Sequence, residues 1–321
     1  EEGRHDVAPV SGKNLTLSID MDLQALGEKL MQNKRGSIVM IEPETGEVLC
    51  LVSSPSYDPN LLVGCQRGKN HIMLSKNSDK PLLDRAIMGR YPPGSTFKIV
   101  TGTAALTEGV VTPDEIIFDS GHHWIIPKGN SGGEALGPIN FRQATAHSDN
   151  VYFYEMGNRL GIDRLEKYAR MFGLGQRTGI DLPYEADGLV ANRRYKAKNF
   201  EDGEWYLSET FDAAIGQGFN LVTPLQAAMV MGEIAADGKR YRPHVVSKIV
   251  APDGTIVKDF QPELLSTLDV SPDVIKLVQQ GLHDVTVYGT AASSFKGFNI
   301  PIAGKTGTAE NPHGQIGRAH V

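Results

Sequence analysis

Cysteine is scarce in this chain: Cys50 and Cys65 are the only two in 321 residues, which excludes a disulfide scaffold and a Cys-rich zinc module. Cys50 lies in the apolar run Glu47-Val48-Leu49-Cys50-Leu51-Val52 and reads as a buried free thiol rather than half of a bridge to Cys65. An excess of positive charge is lacking too. With 32 Lys and Arg against 38 Asp and Glu the formal net charge is -6, so no global field invites a polyanion, and nucleic acid is not an expected partner. No run approaches the ~20 apolar residues of a membrane span. The first residues are Glu1-Glu2-Gly3 rather than Met and a basic, apolar leader, so the reading is a soluble protein or one whose N-terminus lies elsewhere. Internal repeats and low-complexity runs are likewise missing. What remains is an ordinary globular composition, 40% hydrophobic and 22% charged, enough for one large domain or two smaller ones.

Periodicity orders the chain. Asn14 to Asp20 alternates as a short strand, and Asp20 can cap a helix carrying Leu23, Leu26, Leu30 and Met31 on one face. Gly36 to Ile41 and Glu47 to Val52 read as a hairpin turned at Pro43-Glu44-Thr45-Gly46. Ser53 to Tyr91 is polar and punctuated, hence mostly loop. After the breaker Pro92-Pro93-Gly94 a helix is expected from Ser95 to Gly109, followed by an irregular insertion over 110–140. Helical patterns return at Phe141 to His147, Val151 to Leu160 and Asp163 to Phe172, and again at Leu225 to Ala236 behind Thr223-Pro224. Tyr241 to Phe260 looks like a second hairpin, Ser271-Pro272 opens another helix, and Phe298 to Gly304 leads extended chain into Lys305. The order implies an α+β fold with an antiparallel sheet flanked by helices and a helical subdomain.

Three short motifs could carry chemistry. Ser95-Thr96-Phe97-Lys98 places a hydroxyl and an amine three apart on one helix face, a nucleophile beside a base whose pKa burial would lower. S-x-x-K arises about once by chance in a chain of this length. Ser293-Ser294-Phe295-Lys296 is such a copy, lacking a breaker before it, and reads as solvated residues near a strand. Ser148-Asp149-Asn150 stands at a corner between two helices, where it can serve as a helix cap or relay a proton through Ser148 and bind a carbonyl through Asn150. Lys305-Thr306-Gly307-Thr308 reads as a strand end, either an ordinary exposed edge or one to which an extended peptide adds, its terminal carboxylate meeting Lys305 and Thr306.

Taken together and in this order, Ser95 to Lys98, Ser148 to Asn150 and Lys305 to Gly307 resemble the S-x-x-K, S-x-N and K-T-G set of penicillin-binding proteins and serine β-lactamases. Tyr91-Pro92-Pro93-Gly94-Ser95, Leu17-Ser18-Ile19-Asp20 with Leu23-Gln24, Gly216-Gln217-Gly218 and Leu221 to Gln226 narrow the resemblance to class B penicillin-binding proteins, over nearly all of 14–314. The branch it resembles most serves the elongation machinery.

The resemblance implies a serine β-lactamase/penicillin-binding-protein transpeptidase-like fold and a D,D-transpeptidase that acylates a serine with the D-Ala-D-Ala end of a peptidoglycan stem peptide and passes the acyl group to an amine. It implies Ser95 as nucleophile, Lys98 as base, Ser148 as proton relay, Asn150 as substrate amide partner, and Lys305, Thr306, Gly307 and Thr308 as the substrate-binding strand. The backbone N–H groups of Ser95 and Thr308 would form the oxyanion hole. Partners implied are stem peptides, β-lactam antibiotics and a membrane glycosyltransferase of the elongation machinery, on the periplasmic side of a bacterial inner membrane. No cofactor is implied. Some relatives hold zinc near S-x-N through Asp, His and Cys, but Asp149 stands where that Cys would be. His122, His123 and His147 read as solvated, so no metal is expected.

Alternatives of the same fold are a serine β-lactamase, for which an E-x-x-L-N stretch between the second and third motifs is missing, a D,D-carboxypeptidase using water as acceptor, and a non-catalytic β-lactam sensor. The expected division is 1–13 as a remnant of a preceding pedestal or linker and 14–315 as a C-terminally incomplete transpeptidase domain, its catalytic strand left as an unpaired edge. Ile316 to Val321 matches the translation of a common sequencing-adapter string, which places the end of native sequence at or just before Gln315.

Overall fold

Local capping starts the fold where the sequence indicates. In the computed structural model, which describes residues 9–310 and 316–320, β1 (Asn14–Leu17) leads to α1 (Met21–Leu30), and the Asp20 carboxylate accepts the N–H groups of Asp22 and Leu23. The expected apolar face of α1 is only partly covered: Gly27 is buried against Val52 and Cys50, Leu23 and Met31 are half-buried, and Leu26 and Leu30 are 51% and 53% exposed. β2 (Gly36–Ile41) and β3 (Val48–Ser54) pair as the expected hairpin. Between Ser53 and Tyr91, expected as loop, stands α2 (Arg67–Lys76); only Leu74 of it is buried, so no apolar period announces it.

A tight 3-10 turn, Gly94–Phe97, precedes α3 (Lys98–Thr107). Ser95 thus sits in that turn rather than at the first turn of an α-helix. The Gly- and Pro-rich insertion is tied by two short paired strands, β4 (Ile117–Asp119) and β5 (Gly137–Ile139). α4 (Phe141–His147) and α5 (Asn150–Met171) follow as expected, α5 breaking at Gly161 (φ 73, ψ 164) between the two helical patterns of the sequence. α6 (Arg193–Asn199) and α7 (Leu207–Ala214) were not expected; they are short, and one turn or two cannot establish a period. α8 (Pro224–Ala235) opens on a capping box between Thr223 and Gln226.

β6 (Lys239–Tyr241), β7 (Val246–Val250), β8 (Ile256–Asp259) and β9 (Leu264–Thr267) lead to α9 (Pro272–Val287), with β7 and β8 forming the expected second hairpin. α10 (Ala292–Phe295) carries the chance S-x-x-K copy; Ser293 and Lys296 are exposed, on a helical turn rather than near a strand. β10 (Thr306–Glu310) begins just after Lys305, so the third motif opens a strand instead of ending one, and 298–304 form no strand. β11 (Ile316–His320) pairs with β10, so one edge of the strand expected to be left unpaired is covered. Residues 1–8, Asn311 to Gln315 and Val321 lie outside the described residues.

Among the described residues the strands pair antiparallel, in the orders β1-β7-β8, β2-β3, β4-β5, β6-β9 and β10-β11, with one isolated parallel bridge between Glu47 and His244. The larger core joins α3, α4, α5, α7 and α9 around Phe97, Phe141, Phe153 and Phe211. A smaller one lies under the β2-β3 hairpin at Val48, Ile87, Leu225 and Val245. Leu225 and Met229 of α8 enter the small core and Val230 and Ile234 the large one, so α8 locks strand and helix layers together. This is the α+β arrangement expected. Both cysteines are free, Cys50 buried and Cys65 exposed.

Candidate active site

Proline and glycine set the turn that carries Ser95. Pro93 enters it, and the Thr96 hydroxyl closes it by donating to the Pro93 carbonyl at 2.8 Å. Gly94 has φ 56, and a Cβ there would stand 2.4 Å from the Thr308 carbonyl oxygen and 3.2 Å from the Thr308 nitrogen, so only glycine lets β10 come this near Ser95. The Gly94 N–H donates to the Gly216 carbonyl at 2.9 Å, which brings Gly216-Gln217-Gly218 to the back of the same turn. Ser95 is half-buried between these segments.

One turn on, Lys98 is 1% exposed. Its Nζ donates to the Ser148 carbonyl and to Asn150 Oδ1, each at 2.7 Å, and lies 3.4 Å from Ser148 Oγ. Burial pushes the Lys98 amine well below the usual lysine range; the nearby Lys305 charge pushes it the same way, and Asp149 opposes both. Lys305 is 2% exposed, and its Nζ donates to Ser148 Oγ at 2.7 Å and to the Thr306 carbonyl at 3.1 Å. Burial lowers it to about 7. The two amines therefore meet on one hydroxyl. A neutral amine has two N–H groups and one lone pair. In its neutral form Lys98 would use both N–H groups in its two short bonds, both to acceptor oxygens, and keep the lone pair to take a proton.

Ser148 presents this hydroxyl because it ends α4 in the left-handed conformation (φ 57), while Asp149 turns the chain into α5 by accepting the Tyr152 N–H at 2.6 Å. Asn130, which the sequence reading passed over, holds the corner. Its Oδ1 accepts the Asn150 N–H at 2.7 Å, and its Nδ2 donates to Asp119 Oδ2 at 2.8 Å and Asp149 Oδ2 at 2.9 Å. Burial raises Asp149 to about 6, and the neighbouring Asp119 carboxyl adds to the rise. The one signal for Asn130 was the Gly129-Asn130 turn pair inside an irregular stretch, which has no period to read.

The eight residues expected from the motifs thus converge, with Thr308 exposed, Gly307 buried, and Thr306 and Asn150 half-buried. His122 and His147 are exposed as expected, but His123 is not solvated: it is 4% exposed, 3.3 Å from the Glu155 carboxylate and stacked on Trp124 at 4.2 Å. Among the described residues no cluster of three His, Cys, Asp or Glu side chains could hold a metal ion.

Residues 36–320 match the penicillin binding protein transpeptidase domain. This chain belongs to that transpeptidase family. It is 36% identical over 315 residues to the peptidoglycan D,D-transpeptidase MrdA of Acinetobacter baumannii, covering 96% of this chain and 46% of that protein. The chain thus spans about half the length of the curated relatives it matches. Pseudomonas aeruginosa PBP2, solved with WCK 5153, is similar in structure (TM-score 0.85, 37% identity, 94% of this chain and 69% of that one). So is a peptidoglycan synthase complex that coordinates polymerization and crosslinking (TM-score 0.82, 34% identity, 94% of this chain and 54% of that one).

Proposed function

We propose that this transpeptidase domain cross-links peptidoglycan: it acylates Ser95 with the D-Ala-D-Ala end of a stem peptide and transfers the acyl group to an amine of a neighbouring strand. The observation that carries the reading is the buried Lys98-Ser148-Lys305 circuit beside the Ser95 turn. Ser95 Oγ attacks the penultimate carbonyl carbon, and its proton passes to the Lys98 lone pair. Negative charge on the carbonyl oxygen is met by the N–H groups of Ser95 and Thr308, which the Gly94 contact holds on one side of the site. When the C–N bond breaks, the leaving D-Ala amine takes the Ser148 proton. Ser148 can give it because Lys305 already donates to its oxygen, and Lys98 replaces it. The acceptor amine then attacks the ester, forms the new amide and returns Ser95 to its hydroxyl state.

Asn150 holds the donor amide, and Lys305, Thr306 and Thr308 bind the terminal carboxylate. Lys305 acts there through its charge, since its N–H groups point at Ser148 and the Thr306 carbonyl. Among the described residues the edge of β10 away from β11 has no strand partner, which suits pairing with an extended peptide. β-Lactams enter as mimics of D-Ala-D-Ala and stay as acyl-enzymes. The similarity to a synthase complex supports a membrane glycosyltransferase of the elongation machinery as partner, with the domain on the periplasmic side of the inner membrane. Among the described residues no helix is long and apolar enough to cross a membrane.

Intact mass after incubation with benzylpenicillin tests the reading. One persistent adduct, mapping to Ser95 and lost in Ser95→Ala, is expected; an adduct that survives in Ser95→Ala would refute Ser95 as the nucleophile.

A further inference from the structure

The carboxylate end of the site contains a hydroxyl that the three motifs do not include. Thr290 Oγ1 lies 2.9 Å from Thr306 Oγ1, and Thr290 is exposed where Thr306 is half-buried. The turn that carries it is built into the site. After α9, the N–H groups of Tyr288 and Gly289 close on the Asp284 carbonyl, each at 3.0 Å. A Cβ at Gly289 would stand 2.1 Å from the Ala146 carbonyl oxygen, so the chain passes against the end of α4 only as glycine, and the Thr290 N–H donates to that same oxygen at 3.0 Å. Ala146 lies two residues before Ser148. The last turn of α4 therefore fixes the relay hydroxyl and, through Ala146, Thr290.

We propose that Thr290 is a positioning residue for recognition of the substrate's terminal carboxylate, a role that rests on the reading of the site as a D-Ala-D-Ala transpeptidase. The chemistry selects the direction of the bond. Thr306 can donate its own O–H to a carboxylate only when that proton is not spent on Thr290, so in this pair Thr290 is the donor and Thr306 the acceptor. In the opposite direction Thr306 would spend its proton on Thr290 and turn lone pairs toward an anion. With Thr290 as donor the two hydroxyls form a chain ending on the carboxylate, each bond polarising the next. Specificity for a ligand with a free carboxylate then depends on a residue outside K-T-G.

The experiment compares the second-order rate of Ser95 acylation by benzylpenicillin and by its methyl ester, on the full-length protein carrying wild-type, Thr290→Val or Thr290→Ser sequence, with thermal melts as a check of folding. Thr290→Val is expected to slow acylation by the free acid about three- to tenfold, the scale of a lost hydrogen bond between neutral groups. Its rate with the ester should stay within about twofold of wild type, and Thr290→Ser should restore the rate with the acid. Equal losses with acid and ester, or no loss with the acid, overturn the role of Thr290 while leaving Ser95 as nucleophile. A folded wild type that forms no adduct with either probe overturns the transpeptidase reading and this inference with it.

Discussion

Lys98 and Lys305 bring two amines to one serine hydroxyl with almost no exposure, and burial lowers both, Lys305 to about 7. The sign of the pH dependence follows. With Lys98 as the proposed base, acylation needs its lone pair, so the rate should fall as the pH is lowered and Lys98 takes a proton. Asp149, raised to about 6, loses near that pH the negative charge that faces Lys98. A rate of benzylpenicillin acylation that does not fall toward acid pH would count against Lys98 as the base. Stability moves the same way from Lys305: the unfolded chain binds its proton up to about 10.5 and the folded one only to about 7, so this group's contribution rises with pH across that window and is constant below it.

At the scale of elements, the β4-β5 insertion positions the second motif. Asp119 at the end of β4 is fully buried and accepts the N–H groups of Gly121 and Leu136, each at 2.7 Å, while Asn130 bridges it to Asp149 and receives the Asn150 N–H. Asn130→Ala should leave two carboxyls, two backbone N–H groups and one carbonyl short of a partner. The expected cost is about 1–3 kcal/mol of stability, read by denaturant unfolding, with slower acylation because α5 no longer starts from a fixed corner. Unchanged stability and rate together would show that water replaces the amide at no cost. Asn130 was not legible from the sequence, because its five side-chain bonds reach carbonyls, carboxylates and amides up to 21 positions away, and no repeat or cap marks such a residue.

For the whole molecule, the large helical core is the mechanical reference for the site. Phe211 is fully buried and makes ring contacts with His123 and Tyr154 at 4.7 Å and 5.5 Å. Phe211→Ala should therefore cost about 3–5 kcal/mol by equilibrium unfolding. Leu26→Gln on α1 should change stability by no more than about 0.5 kcal/mol, since the side chain is half exposed. A large loss for Leu26→Gln would mean that the face of α1 is covered in solution. The helical period of α1 correctly indicated a helix, but an apolar stripe does not say whether anything packs on it.

The sequence by itself determined the elements whose causes lie within one turn: the caps at Asp20 and Thr223, the hairpins, the break at Gly161, and the three motifs with their order. Only the tertiary structure decided what the motif residues do together. Lys305 reaches Ser148 across 157 positions and Lys98 reaches Asn150 across 52, while Thr308 closes on Gly94 and Thr290 on Thr306. Capping and periodicity are short-range steric and hydrogen-bond preferences that any chain segment carries with it. Desolvation of an amine and the shared use of one hydroxyl exist only where distant segments exclude water together.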